Sequence, residues 1–149
     1  MARFFDLDAA NETIPELRTI LETLRDERSQ LIALRDEFAR RTALETAPGD
    51  ASAERAADDA AARTSESAAE RRRLRLRMQG VIDQMQAGVA RIDELGVTLR
   101  EIETGLVDFP ALVAGRQVWL CWRLGEGDVE WWHELSDGIG GRRPLIELA

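Results

Sequence analysis

A chain of 149 residues and 16.7 kDa is long enough for one domain or two small ones, and folding a chain of this size buries about 68–70% of the surface it exposes when unfolded. Acidic residues number 28 against 20 basic, giving a net charge of −8 and a pI near 4.8, which disfavours nucleic-acid backbones and anionic membranes as partners. The single cysteine excludes an intramolecular disulfide and an all-cysteine zinc site and points to a cytoplasmic protein; no window approaches the roughly 18 uncharged residues of a membrane span.

From Ile14 the large apolar residues recur as Ile14, Leu17, Leu21, Leu24, Leu31 and Phe38. Steps of three, four and seven mark one face of a long helix with coiled-coil character. Thr13-Ile-Pro-Glu16 supplies a start: threonine caps free amides, Glu16 completes a capping box, and Pro15 falls in the first turn, where its missing N–H is not needed. Asp6-Leu-Asp-Ala-Ala10 is expected to form a separate short turn. A second stripe, Leu74, Met78, Val81, Met85, Ile92 and Leu95, is broken at Gly88, with Ser67-Ala-Ala-Glu70 as a capping box upstream. The two stripes match in length and fold back as an antiparallel helical hairpin over residues 1–96, Phe38 meeting Leu74 and Leu17 meeting Leu95. Residues 43–69 are dominated by Ala, Asp, Glu, Ser and Thr, with Pro48-Gly49 as a breaker, and are expected as a mobile tip. The alternative is that both helices continue to a sharp turn at Pro48-Gly49.

After Leu95-Gly96 the period changes to two. Residues 97–102, 106–109 ending at Pro110, 117–124 and 129–135 read as an antiparallel β-meander of about four strands. All four tryptophans, Trp119, Trp122, Trp131 and Trp132, fall in this region, 97–149. Taking Glu126-Gly127 as a two-residue turn pairs Arg123 with Glu130, Trp122 with Trp131 and Leu120 with His133. That register puts Trp122, Trp131 and His133 on one face and Trp119, Cys121 and Trp132 on the other. The fold class is α+β.

Several strings carry a resemblance: Gly105-Leu-Val-Asp-Phe-Pro110, Gly115-Arg116, Val118-Trp-Leu-Cys-Trp-Arg-Leu-Gly-Glu126, Trp132-His-Glu134 and Gly141-Arg-Arg-Pro-Leu145. With Leu95-Gly-Val97 and the opening Phe5-Asp-Leu-Asp-Ala-Ala-Asn11 and Ile14-Pro-Glu-Leu17, they resemble a bacterial family known as domain of unknown function 2203. The resemblance covers nearly the whole chain outside 43–69 and implies no settled activity.

His133 is the only histidine, and on an apolar face opposite Leu120 it needs a polar partner. It reads either as a structural histidine or as a ligand for a divalent metal such as manganese, iron or zinc, with Asp108, Glu126 or Glu134 as carboxylate companions. Neighbours on a strand point to opposite faces, so Asp108 is a better companion than Glu134. Asp108, just before Pro110, also reads as a turn cap. Cys121, on the face opposite His133, reads as a small buried hydrophobe, and a Cys–His dyad is not expected. The basic run at 71–77 is expected to pair with acids such as Asp36 and Glu37. Arg116, with Arg142 in the glycine-rich 138–144 segment, is the candidate set for an anionic ligand.

Two functions follow from these readings. The first is a non-catalytic binding or scaffold module that forms a homo-oligomer or docks a protein partner, because Trp119 and Trp132 are expected together on the face away from the core. The alternative is a metal- or small-ligand-binding protein, with an enzyme among its forms, whose site gathers His133, Asp108 and Glu126.

Overall fold

The computed structural model describes residues 3–46 and 54–148. Two long helices, α1 (Leu7–Thr46) and α2 (Glu54–Glu94), precede five strands: β1 (Thr98–Glu101), β2 (Leu106–Val113), β3 (Arg116–Arg123), β4 (Trp131–His133) and β5 (Arg143–Pro144). The strands form one antiparallel meander in chain order. This is the expected α+β layout with β5 added. No helix among the described residues is long and apolar enough to cross a membrane.

Two compact units divide the chain, one made of Met1–Arg28 with Met85–Ala149, the other of Ser29–Gln84. The first 28 residues thus belong with the sheet, where the sequence suggests a break at residue 96. In the segment expected as a mobile tip, residues 43–46 and 54–69 are helical, continuing α1 and α2; Pro48-Gly49 lies outside the described residues.

In the sheet-bearing unit α1 begins earlier than the Thr13 box suggests. Asp6 caps it, its Oδ1 accepting the Ala9 amide at 2.7 Å, so the expected short turn is the first turn of the helix itself. Thr13 and Pro15 then lie inside the helix, and the Thr13 hydroxyl donates to the Ala9 carbonyl at 2.8 Å. Likewise Ser67 is interior to α2 and caps nothing. Gly88 interrupts the second stripe because Leu24 occupies the space: a Cβ there would stand 3.0 Å from Leu24 Cδ2. The Leu24–Gly88 approach and the Arg91–Glu16 ion pair at 2.6 Å belong to the antiparallel register that the stripes imply. Helix α2 ends in a Schellman motif, with Gly96 at φ +81°, its amide on the Asp93 carbonyl and the Val97 amide on the Ile92 carbonyl.

In the Ser29–Gln84 unit Leu34, Leu74 and Val81 are buried. Arg73 pairs with Glu70 and Arg75 covers the Phe38 ring, while Asp36 and Glu37 pair with Arg35 and Arg41 on their own helix. In place of the expected cross-helix pairs, Arg73 and Glu37 thus pair with residues one turn away on their own helices and Asp36 with its neighbour Arg35.

Two features of the sheet depart from the sequence reading. Pro110 does not end a strand: β2 runs on to Val113 and returns through Ala114-Gly115, both at positive φ, as a two-residue hairpin into β3. Proline is tolerated there because β1 pairs only as far as Asp108, and the Pro110 carbonyl on that open edge takes the Phe5 amide at 2.7 Å. Secondly, the β3–β4 ladder is one residue out of the expected register, pairing Trp119 with His133, Leu120 with Trp132 and Cys121 with Trp131. The link is not a tight turn at Glu126-Gly127. It is a wider loop that bends at Gly125 (φ +101°), where Glu126 Oε1 accepts the Arg123 amide and the Trp122 indole donates to the Gly127 carbonyl. A one-residue slip exchanges every side chain between faces. Trp132 accordingly joins Phe5, Leu17, Phe109, Leu120 and Trp122 in the core, and His133 moves to the outer face. The pairing of exposed Trp119 and Trp132 that suggested self-association does not form.

Candidate functional site

The register determines what meets on the outer face. Asp108 of β2 stands opposite Cys121 of β3, and Cys121 stands opposite Trp131 of β4, two residues before His133. The imidazole of His133 reaches over β3, so that Nε2 lies 3.0 Å from Asp108 Oδ2. Asp108 and His133 are each 2% exposed and Cys121 1%. One ligand atom from each of the three, nitrogen, oxygen and sulfur, lies within 4.8 Å of the others. Asp108 is thus mid-strand and no turn cap, and Cys121 shares a face with His133. The expected separation of the thiol from the imidazole came from the slipped register and is corrected.

Chemistry assigns the ring protons. Nδ1 faces the Glu134 carbonyl oxygen at 2.8 Å, and a carbonyl can only accept, so Nδ1 carries a proton; because a bare ring nitrogen and a carboxylate oxygen are both acceptors, the contact of Nε2 with Asp108 Oδ2 is a hydrogen bond only with a second proton held between them in the metal-free protein. Asp108 Oδ2 also accepts Arg100 Nε at 2.8 Å. Its other oxygen, Oδ1, is buried with no hydrogen-bond partner, a condition that costs roughly 1–3 kcal/mol for such a group. Burial first, and then the negative charge of Asp108, push the Cys121 thiol from 9.0 up to about 12. In the metal-free protein at neutral pH it is a thiol rather than a nucleophilic thiolate.

Beside these residues a cavity of about 290 Å³ is lined by Arg100, Leu106, Leu135, Asp137, Gly138 and Ile139 together with the three donors. Arg100 sits at a β-bulge, where the β1–β2 register slips between Leu99 and Glu101, and its guanidinium lies 4.9 Å over the Trp119 ring.

Of the residues singled out in the sequence, His133 and Asp108 come together. Glu126 does not join them: its carboxylate pairs with Arg142 at 2.8 Å and with the Arg123 amide. Burial opposes the charge of Arg142, but its bond to Glu126 together with the charge of Glu126 and the interactions with Cys121 outweighs this, and the guanidinium titrates above its ordinary range. Arg142 lies 4.9 Å over the Trp131 ring, and Arg116 pairs with Glu134 at 2.6 Å. Neither arginine lines the cavity next to His133. Cys121 and Arg100 were not in the expected site. Cys121 becomes visible once the Ala114-Gly115 hairpin is recognised, because that turn alone sets it opposite Asp108; no local signal in the sequence marks the bulge at Arg100.

The chain belongs to the family described as uncharacterized conserved protein (DUF2203), whose model matches residues 3–145. No curated protein matches it. No solved structure matches it either.

Proposed function

We propose that this member of the family is a metal-binding protein that holds one divalent transition-metal ion, zinc foremost, on Asp108, Cys121 and His133. The observation that carries this reading is the buried set of one oxygen, one sulfur and one nitrogen donor within 4.8 Å of one another. Donors at normal bond lengths around a tetrahedral zinc lie about 3.4–3.6 Å apart, so shifts of about 1 Å or less bring all three onto an ion. Three further facts support it. His133 donates its other ring N–H to a backbone carbonyl, the usual way a metal-bound imidazole is oriented. The unpartnered Asp108 Oδ1 gains a use. A metal also deprotonates a coordinated thiol, which removes the energetic objection to Cys121 as a ligand. Mixed nitrogen, oxygen and sulfur donors suit zinc better than manganese or calcium, and three protein ligands leave a fourth position on the side of the cavity.

Protein purified without a histidine tag, loaded with zinc and dialysed, is expected to retain one zinc per chain by elemental analysis. Asp108→Ala, Cys121→Ala and His133→Ala are each expected to lose it while circular dichroism keeps the helical signal. Folded wild-type protein that retains no zinc overturns the reading.

Self-association is a second reading, now favoured by Leu44 and Leu76, which are 75% and 74% exposed in the Ser29–Gln84 unit. Light scattering is expected to give more than one chain per particle at micromolar concentration, and a monomer there excludes it.

A further inference from the structure

The cavity beside the three donors contains groups that an ion alone leaves without a use. Arg100 is aimed over Asp108 by the β1 bulge, the kind of irregularity that redirects a side chain at the edge of a site. Only its Nε bonds to protein among the described residues, and its side chain is 42% exposed, so the two Nη groups remain for a ligand. Leu135 and Ile139 line the same cavity with 53% and 38% of their surface exposed, and Leu106 is buried in its wall. Apolar side chains at a cavity mouth are covered at a gain when the occupant has an aliphatic body.

Charge narrows the class further. On the metal reading above, a divalent ion is neutralised by Asp108 and a Cys121 thiolate and Arg100 by Asp137, so the lining sums to zero; the positive groups, the ion and Arg100, meet at Asp108, and a single negative charge is best placed between them. Asp137 packs against the Gly141 backbone in the 138–141 turn, and its negative charge disfavours a dianion. A carboxylate fits best, because its two oxygens can share the ion's open position and the guanidinium fork. At about 290 Å³ the cavity stands at the small end of ligand sites, which run from roughly 300 to 1,000 Å³, so the aliphatic part is short.

We propose that the cavity binds a short-chain aliphatic monocarboxylate, its carboxylate on the bound ion and Arg100 and its chain against Leu106, Leu135 and Ile139. This rests on the metal reading, and the test separates the two. Full-length protein loaded with cobalt(II) is titrated with acetate, hexanoate, hexylammonium and inorganic phosphate, with visible absorption as the readout. Hexanoate is expected to shift the cobalt bands and to bind at least tenfold more tightly than acetate, whereas hexylammonium and phosphate leave the bands unchanged at the same concentrations. At saturating cobalt, Arg100→Gln is expected to weaken hexanoate at least tenfold, with part of the loss recovered in Arg100→Lys. Leu135→Asp is expected to abolish the preference for hexanoate over acetate while acetate still titrates. A cobalt-loaded protein whose bands respond to no carboxylate, or respond first to phosphate, overturns the proposal and leaves the metal reading standing. A protein that takes up no cobalt removes both.

Discussion

On the inner face of the sheet Val107, Phe109, Val118, Leu120, Trp122 and Trp132 are buried among Phe5, Ile14, Leu17 and Leu21 of the N-terminal segment and α1. On the outer face, between half-buried Trp119 and Trp131, the polar trio Asp108, Cys121 and His133 is buried just as deeply. The inner face meets its polar needs with directed bonds, the Trp122 indole to the Gly127 carbonyl and the Trp132 indole to the Pro144 carbonyl. On the outer face a carboxylate oxygen goes unpartnered and the thiol is held neutral. Equal burial thus stabilises one face and strains the other. Groups kept buried without complete partners are those most readily explained by binding.

The contrast is broken first from the inner side. Trp122→Ala removes a fully buried indole and its hydrogen bond and is expected to cost about 3–5 kcal/mol in urea unfolding. A loss below about 1 kcal/mol would contradict the assignment of this face as the core.

From the outer side the largest effect is alkaline. The chain has no lysine, no tyrosine and one cysteine, so Cys121 is the only side chain whose ordinary range lies between pH 8 and 12. The folded thiol keeps its proton up to about 12 and the unfolded thiol loses it near 9.0. Between those values the unfolded state binds fewer protons, so stability is complete below pH 9 and falls as pH rises through the window, by about 4 kcal/mol at most. Chelator-treated protein followed by urea unfolding from pH 8 to 11.5 is expected to show this slope, and Cys121→Ala is expected to remove it. A flat wild-type profile would show that the thiol is not held neutral.

Smaller again is His133→Gln in metal-free protein, which leaves Asp108 with Arg100 as its remaining partner and is expected to cost about 1–3 kcal/mol. A loss as large as that of Trp122→Ala would erase the distinction between the faces. Ala114 supplies the smallest effect, as it holds φ +51° in the β2–β3 turn. Ala114→Asn suits that conformation and is expected to raise stability by up to about 1 kcal/mol.

The helical hairpin was legible because its burial has one direction: each stripe has a single apolar face, so spacing alone sets the register in which Leu24 meets Gly88 and Glu16 meets Arg91. The sheet was less legible because both of its faces carry large buried side chains. Trp131 and Trp132 are adjacent and both at least half-buried, so alternation could not say which points inward, and the choice of turn settled the register wrongly. Pro110 read as a stop because the sequence does not reveal that β1 pairs only as far as Asp108, so that the N–H proline lacks is not missed in the ladder. The pairing of His133 with Asp108 was legible from the need of a buried imidazole for an acid. Cys121 was lost to the slipped register, and Arg100 to a bulge that has no sequence signature.

The central claim, that Asp108, Cys121 and His133 form one metal centre, is tested most directly by X-ray absorption at the zinc edge of the zinc-loaded protein. The account predicts one sulfur scatterer at about 2.3 Å with nitrogen and oxygen scatterers at about 2.0–2.1 Å, and loss of the sulfur shell in Cys121→Ser. A zinc environment of nitrogen and oxygen alone in the wild-type protein would contradict it.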